Sequence, residues 1–442
     1  MSMESDVLEL IRPTEQECRS ILSAAEDLRA ITETYLKEHG VNARVRYVGS
    51  VAKGTFLKDP DIDMFILFPQ DTPGKDVERI GIRAGQDLID GRMMYAEHPY
   101  TTGSFRGIDV DLVPCYDIDS TEHMLSAVDR TPFHADYIRS HTDTDMRDQM
   151  RLTKKFMKGI GAYGAEPDVR GFSGYLCELL TLHYGGFEGL LRAASGWRSG
   201  TVIAHEERGP KMSGPLVFYD PVDCRRNVAS AVHEDTMCMF IFAARSYLAH
   251  PDMRFFFPEP REPLSRTRLS EIAKVSDGSL VSVSFSKPDI IDENLQAQLW
   301  KTQYAISKKL DATGFNTIRA AHCTGEDRVS FVFQIEHTLL SKVQRHQGPP
   351  VWVASADNFL DRWRDNPYGD PFIEDGHWYV VSERLYRTVE DMLGKEIRNA
   401  GIGRDLDIGT MRVLNGDETL AETDAMMLTE LLCPKFRWEN RA

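Results

Sequence analysis

Two pairs of aspartates are spaced so that they could bind divalent metal ions. Asp61 and Asp63 open an apolar segment that ends at Phe68, and Asp109 and Asp111 lie in a second one. Residues two apart on a strand project from the same face, so each pair would present its carboxylates together. Crowded carboxylates repel unless a cation lies between them, and a divalent ion with phosphate oxygens supplies it. The pattern therefore predicts metal-dependent transfer of a phosphate-linked group.

A lone Asp-x-Asp pair is weak evidence, because most such pairs lie on the solvent face of a sheet. Here Gly49 and Ser50 precede the first pair, with Lys53 close behind them. Such a turn offers backbone N–H groups, a hydroxyl and a cation to a triphosphate. The Gly-Ser turn followed by the two Asp-x-Asp strands resembles the nucleotidyltransferase motif of the DNA polymerase beta superfamily.

The elements that must position these residues follow from the hydrophobic periodicity. A capping box at Thr14–Glu17 opens a helix with apolar residues at helical spacing to Leu36. The alternation of residues predicts three strands, near 45–48, at 61–68, and at 108–113 with its end at Pro114. Residues 1–140 are therefore expected to form a mixed α/β domain.

The rest of the chain divides into a helical part and an α/β part. Helices are predicted at 149–160, 172–184, 187–204 and 227–248, with Asp220-Pro221-Val222-Asp223 as a helix entry. A proline cluster from Pro251 to Pro263 marks a linker, and strands and helices alternate after it. The fold class expected is α+β multidomain, with a catalytic domain at 1–140, a helical central domain at 141–258 and an α/β C-terminal body and tail at 259–442.

Composition limits the class of protein. The 442 residues are 42% hydrophobic and 27% charged, without an apolar run of membrane-spanning length or a recognisable targeting segment. The seven cysteines form no C-x-x-C pair and are expected to be reduced thiols. These features predict a cytoplasmic protein. The net charge of −16 is the wrong sign for a surface that binds nucleic acid everywhere, so any RNA contact must be local.

A finer resemblance, to the archaeal-type (class I) CCA-adding enzymes, covers essentially the whole chain. It is carried by the segments RYVGSVAKGTFL, DIDMFILF, YAEHPYTTG, VDLVPCY, RTPFH, KKFMKGIGAYGAE, RGFSGYLCELL, DPVDCRRNVASAV and HQGPPVW. The resemblance implies sequential addition of C, C and A to the 3′ end of tRNA from CTP and ATP, without a template and with release of pyrophosphate. The family commonly has Glu at the position of Asp61 and Arg at that of Lys53.

The resemblance also implies roles for individual residues. Asp61, Asp63 and Asp111 would bind two Mg²⁺ ions and carry catalysis, with Asp109 in support. The nucleotide would be contacted by Gly49, Ser50, Lys53, His98, Thr131, Lys154, Tyr163 and Arg226, the last reading the base. From the sequence alone, a lysine on a basic helix such as that of Lys154 usually lies on a solvated face, and Arg226 fits a structural partner of a carboxylate equally well.

Partners follow from the same resemblance. The C-terminal domain would bind the acceptor and TΨC arms of tRNA by shape and phosphate contacts, and the enzyme would form a homodimer. The basic residues available in this domain are Arg266, Arg268, Lys301, Lys308, Lys309, Arg319, Lys342 and Arg345. Two alternatives stay open: a poly(A) or oligonucleotide polymerase of the same superfamily, and a non-catalytic RNA-binding homologue.

Overall fold

The computed structural model describes residues 3–95, 99–275 and 279–439. The chain forms two compact units, Met1–Pro260 together with Phe436–Ala442, and Arg261–Lys435. Each unit has its own hydrophobic core. The first unit contains the segments expected to form the first two domains, and the division between those domains at residue 140 stays a prediction.

The first half of the first unit is built around a mixed sheet of five strands. Its elements are α1 (Met3–Ile11), α2 (Glu15–Glu38), β1 (Arg44–Tyr47), α3 (Gly49–Lys53), β2 (Ile62–Phe68), α4 (Gly74–Ile89), β3 (Arg92–Tyr95), β4 (Pro99–Phe105) and β5 (Ile108–Tyr116). The strand order is β1-β2-β5-β4-β3, with β2 and β5 parallel and the other pairs antiparallel. Helices α2 and α4 bury their apolar residues against this sheet.

Helix α2 begins where the sequence predicts. The Thr14 side chain accepts a hydrogen bond from the Glu17 backbone N–H, and the Glu17 carboxylate accepts one from the Thr14 N–H. This capping box satisfies two of the N–H groups that the first turn leaves without partners. The expected helix is therefore confirmed, and Leu28 and Leu36 lie in the core.

Strand β5 continues through Pro114, where the sequence predicted that it would end. Pro114 lies opposite Ile66 of β2. On the other side of β5, the pairing with β4 runs only from Ile108 to Leu112. At Pro114 the strand therefore has a partner on one side, and the N–H that proline lacks is not needed there.

The second half of the first unit is mostly helical but contains a small sheet. Its elements are α5 (Thr131–His141), α6 (Thr144–Ile160), α7 (Gly174–His183), α8 (Phe187–Ala194), β6 (Thr201–Ala204), β7 (Leu216–Asp220), β8 (Asp223–Asn227) and α9 (Glu234–Ala249). The strands pair in the order β6-β7-β8. Fully buried aromatic side chains, including Phe156, Phe187 and Phe240, fill the core between the helices.

Three of the predicted helix boundaries in this region are wrong. The helix expected to reach Ala204 ends at Ala194, because glycines follow and the β-branched run Thr201-Val202-Ile203 pairs with β7. The segment 220–223, expected to open a helix, is a tight turn between β7 and β8. The Asp220 carboxylate fixes this turn by accepting the Val222 N–H, and the next helix begins only at Glu234.

The second unit is an α/β structure, as the alternating pattern predicts, but its main sheet carries helices on both faces, and it contains a second small sheet. Its elements are α10 (Arg266–Val275), β9 (Ser279–Ser286), α11 (Asp292–Thr313), β10 (Thr317–Thr324), β11 (Arg328–Ile335), β12 (Val343–Pro350), α12 (Ser355–Arg362), β13 (Phe372–Glu374), β14 (His377–Glu383), α13 (Val389–Glu396), β15 (Arg412–Asn415), α14 (Asp417–Glu422) and α15 (Ala425–Leu432). The antiparallel sheet β10-β11-β9-β15 packs α11 and α13 on one face and α10 and α15 on the other. The small sheet has the order β12-β14-β13.

No helix within the described ranges is long and apolar enough to cross a membrane.

Candidate active site

The two central parallel strands of the first sheet bring the predicted carboxylates together. In the register of β2 with β5, Asp63 lies directly opposite Asp111. Asp61 is exposed and immediately precedes β2. The two strands are therefore the reason why residues almost fifty positions apart in sequence share one site. Asp109 is exposed on β5 and pairs with Ser104 of β4.

Electrostatic repulsion within this cluster favours a bound cation. Burial raises the pKa of Asp63 to about 7, and the Asp61 and Asp111 carboxylates add to the rise. Burial also raises the pKa of Asp111, although a hydrogen bond from Thr102 opposes it. A positive ion would relieve both effects. Among the described residues, no three His, Cys, Asp or Glu side chains enclose a metal site by themselves.

Gly49 lies against Asp63. It is the first residue of α3 and has a left-handed φ of 61°. A Cβ at this position would lie 2.6 Å from Asp63 Cγ and nearer still to Oδ2. The preceding residue, Val48, donates its backbone N–H to the Asp63 carbonyl at 2.8 Å. Only glycine lets the chain turn this close to the carboxylate. The Gly49-Ser50 pair is thus the first turn of a short helix beside the carboxylates.

The two predicted phosphate-binding lysines meet on a single buried carboxylate. Lys53 Nζ and Lys154 Nζ each lie 2.6 Å from a different oxygen of Glu178. All three side chains are buried, and that of Glu178 is fully inaccessible. The solvated-face interpretation of Lys154 is therefore wrong, because the helix turns this lysine toward the core. Both ammonium groups act on the Asp63 carboxylate and lower its pKa, against the effect of burial.

Tyr163 reaches the same region. Its backbone pairs with Phe172, and its hydroxyl lies near Gly174, the first residue of α7. A Cβ on Gly174 would be 2.8 Å from the Tyr163 Oη and 4.0 Å from Lys154 Cε. Burial raises the pKa of Tyr163, so the hydroxyl stays protonated. The structure thus places Tyr163 and Lys154 together, as two predicted triphosphate contacts would require.

Arg226 belongs to a second buried cluster, centred on Asp220. The inaccessible Asp220 carboxylate is 2.9 Å from Arg226 Nη1 and 3.0 Å from His134 Nε2, and accepts the Tyr175 hydroxyl at 3.2 Å. The His134 ring stacks on that of Tyr175. The structural interpretation of Arg226 is therefore correct, yet 32% of its side chain is exposed and available to a ligand.

Three predicted residues remain, and the structure places two of them, Ser50 and Thr131. Thr131 begins α5, three residues before His134, and so lies near the Asp220 cluster. His98 lies outside the described residues. Ser50 follows Gly49 in α3.

Sequence reasoning missed Glu178 and Tyr175, which lie three positions apart on one face of α7. Tyr175 links the two clusters, because its ring lies 5.7 Å from Lys53 Nζ while its hydroxyl binds Asp220. A signal for Glu178 was present: it is a single acid within the apolar run Tyr-Leu-Cys-Glu-Leu-Leu. A carboxylate in such a run is buried, and a buried carboxylate needs cationic partners.

Three family descriptions match successive parts of the chain. Residues 29–134 match the nucleotidyltransferase domain. Residues 148–257 match the second domain of tRNA nucleotidyltransferase. Residues 277–416 match the C-terminal domain of the CCA-adding enzyme.

Curated relatives are similar over nearly the whole length. A CCA-adding enzyme of Halobacterium salinarum is 38% identical, over 100% of this chain and 99% of its own length. A CCA-adding enzyme of Methanosarcina acetivorans is 35% identical, over 98% of this chain and 95% of its own length. A CCA-adding enzyme of Methanoregula boonei is 38% identical, over 89% of this chain and 86% of its own length.

Proposed function

We infer the reaction of this chain from the family to which it belongs, that of the CCA-adding enzymes. It adds C, C and A in turn to the 3′ end of tRNA, with CTP and ATP as donors, pyrophosphate as the product and no nucleic-acid template. The observation that carries the chemistry is the juxtaposition of Asp63 and Asp111 on parallel strands, next to Asp61.

We propose that Asp61, Asp63 and Asp111 hold divalent metal, with two Mg²⁺ ions as the working set. The proximity of the three carboxylates supports this, because neighbouring carboxylates repel one another unless a cation lies between them. The ions would supply activation of a hydroxyl and neutralisation of phosphate charge. Since the carboxylates do not enclose a site alone, phosphate oxygens of the nucleotide would complete it.

The chain's own groups position the reactants. Ser50 and the N–H groups at the start of α3 face the triphosphate. Lys53 and Lys154 offset its charge, and the Tyr163 hydroxyl helps to orient it. Asp111 orients the tRNA 3′ hydroxyl and receives its proton. The hydroxyl oxygen then bonds to the α-phosphorus as the bond to the β-phosphate breaks. Arg226, fixed by Asp220, presents its planar guanidinium to the base.

Binding of tRNA must be local, because the chain is acidic overall. Most of the candidate basic residues of the second unit already have local partners. Arg345, for example, pairs with Glu374 and lies 3.6 Å from the Tyr379 ring centroid. No ion pair involves Lys301 or Lys308 within the described part of the chain, and both lie on α11 beside the exposed Tyr304. We propose this face of α11 as a phosphate contact for the acceptor and TΨC arms.

The test uses tRNA that lacks its last three nucleotides, with labelled CTP and ATP and with Mg²⁺. The expected product is longer by three nucleotides, and it requires both donors. Asp63→Ala and Asp111→Ala are expected to abolish the reaction. Processive growth with ATP alone would show a poly(A)-type polymerase instead, and unchanged activity in both variants would show that the assigned carboxylates are wrong. The cytoplasmic location and the homodimer stay predictions.

A further inference from the structure

Glu178 is the most deeply buried charged group near the carboxylate site, and the reaction described above does not use it. It lies on α7, where Leu176, Cys177, Leu179 and Leu180 are all inaccessible to solvent. Burial by itself would raise the pKa of Glu178, but the Lys154 and Lys53 ammonium groups outweigh it and lower the value to about 2. The side chain is therefore a permanent anion at neutral pH.

The geometry around Glu178 is specific to the two lysines. One carboxylate oxygen binds Lys53 Nζ, and the other binds Lys154 Nζ, each at 2.6 Å. Thr55 donates its hydroxyl to the oxygen that Lys154 also contacts, and Lys154 Nζ lies 3.0 Å from that hydroxyl. Both lysines are thus held in one arrangement by contacts within the protein.

Packing alone does not explain this arrangement. Buried ion clusters contribute little net stability compared with apolar residues of the same volume, because the cost of removing each charge from water offsets the attraction between the charges. Two ammonium groups on one carboxylate leave a net positive charge. This charge lies close to the carboxylate site, because Lys53 ends α3 and the first residue of α3, Gly49, lies against Asp63. The cluster is therefore suited to binding a polyanion next to that site.

We propose that Glu178 is a positioning residue for nucleotide binding, one that holds the Lys53 and Lys154 ammonium groups ready for the triphosphate of CTP or ATP. A free lysine loses rotational freedom when it binds phosphate, and fixing it beforehand reduces that loss. Because Tyr175 on the same helix face contacts Lys53 and Asp220, α7 also ties this pair to the group that holds Arg226. The proposal rests on the proposed nucleotidyl transfer.

The test compares Glu178→Gln with wild type in steady-state addition of C to shortened tRNA. The amide keeps the shape of the side chain but loses its charge, so the lysines lose their fixed partner. We expect the KM for CTP to rise by at least about tenfold and inhibition by pyrophosphate to weaken by a similar factor, while the KM for tRNA changes less than about twofold. A purely structural role would not separate the two substrates in this way.

Asp148→Asn is the matched control. Asp148 is another buried carboxylate of the same unit, on α6, with two arginine partners, Arg12 and Arg151. Loss of the Asp148 charge is expected to lower the Tm and to leave the KM for CTP within about twofold of wild type. If Glu178→Gln behaves like this control, with a lower Tm and an unchanged KM for CTP, the proposal is wrong. Wild type without activity would instead overturn the proposed function.

Two substitutions cover the case in which Glu178→Gln does not fold. Glu178→Asp keeps the charge but shortens the side chain, and the KM for CTP is expected to rise severalfold with that for tRNA unchanged. Thr55→Val keeps every charge and removes the hydroxyl that Thr55 donates to Glu178. The KM for CTP of this variant is expected to rise about twofold to fivefold. An unchanged KM for CTP in whichever of these variants folds would overturn the proposal.

Discussion

Gly49→Ala tests whether the contact between the Gly-Ser segment and Asp63 organises the site. Gly49 has a φ of 61°, and an added Cβ would lie 2.6 Å from Asp63 Cγ. Alanine in this backbone region costs about 1–2 kcal/mol, which corresponds to a Tm loss on the order of 2–8 °C. The methyl group must also displace the Asp63 carboxylate. A displacement of about 1 Å near reacting groups costs roughly 10²-fold in rate, or about 2.7 kcal/mol.

Gly40→Ala is the matched control. Gly40 has a similar φ of 67°, but nothing lies within 4 Å of the added Cβ. Gly40→Ala therefore has the same backbone strain as Gly49→Ala, but its added methyl group does not clash with another side chain. The measurements are the Tm of both variants and kcat for addition of C to shortened tRNA.

We expect a similar Tm loss in both variants, and a loss of kcat of about 100-fold or more in Gly49→Ala only. Two results would refute the reasoning: a kcat in Gly49→Ala within about threefold of wild type, or an equal loss of kcat in Gly40→Ala. The first would mean that Asp63 tolerates the displacement. The second would mean that backbone strain, rather than the position of Asp63, limits the reaction.

Three further predictions concern the base contact, the response to acid and the metal. Arg226→Lys keeps a charge for Asp220 but loses the planar donors, so the KM for CTP and ATP is expected to rise about tenfold in steady-state assays while Tm changes little. Because the folded-state pKa of Glu178 lies below its usual value, its stabilising effect is present above about pH 4.5 and is lost as pH falls toward 2. Urea unfolding between pH 5 and pH 3 should therefore show a steeper loss for wild type than for Glu178→Gln, and equal slopes would contradict this. Removal of divalent metal with a chelator is expected to abolish nucleotide addition, and Mg²⁺ to restore it; activity that persists after chelation would argue against the carboxylates as metal ligands.

Local patterns in the sequence were sufficient to predict the type of reaction. The Asp61-x-Asp63 and Asp109-x-Asp111 spacings, the Gly49-Ser50 turn and the apolar strands are short-range features, and the period of a strand by itself places two carboxylates on one face. The capping box at Thr14 and the alternating elements of the second unit were predictable for the same reason. The family resemblance extended these predictions to residues far apart in the chain.

Tertiary structure decided which residues contact one another. Pairing with β7 completed a strand at 201–204, where a helix was predicted, because the β-branched residues there favour an extended backbone once a partner strand is present. Likewise, Lys53, Lys154 and Glu178 are spread over more than a hundred positions, and nothing in the sequence indicates that their side chains are in contact.

The sequence by itself thus determined the type of reaction, because carboxylate spacing along a strand is a local property of the chain. Only the tertiary structure decided that Asp63 and Asp111 face each other and that Glu178 holds both lysines. Those contacts depend on the parallel register of β2 with β5 and on the packing of α7 against α6, which are set by burial of the apolar side chains on these elements.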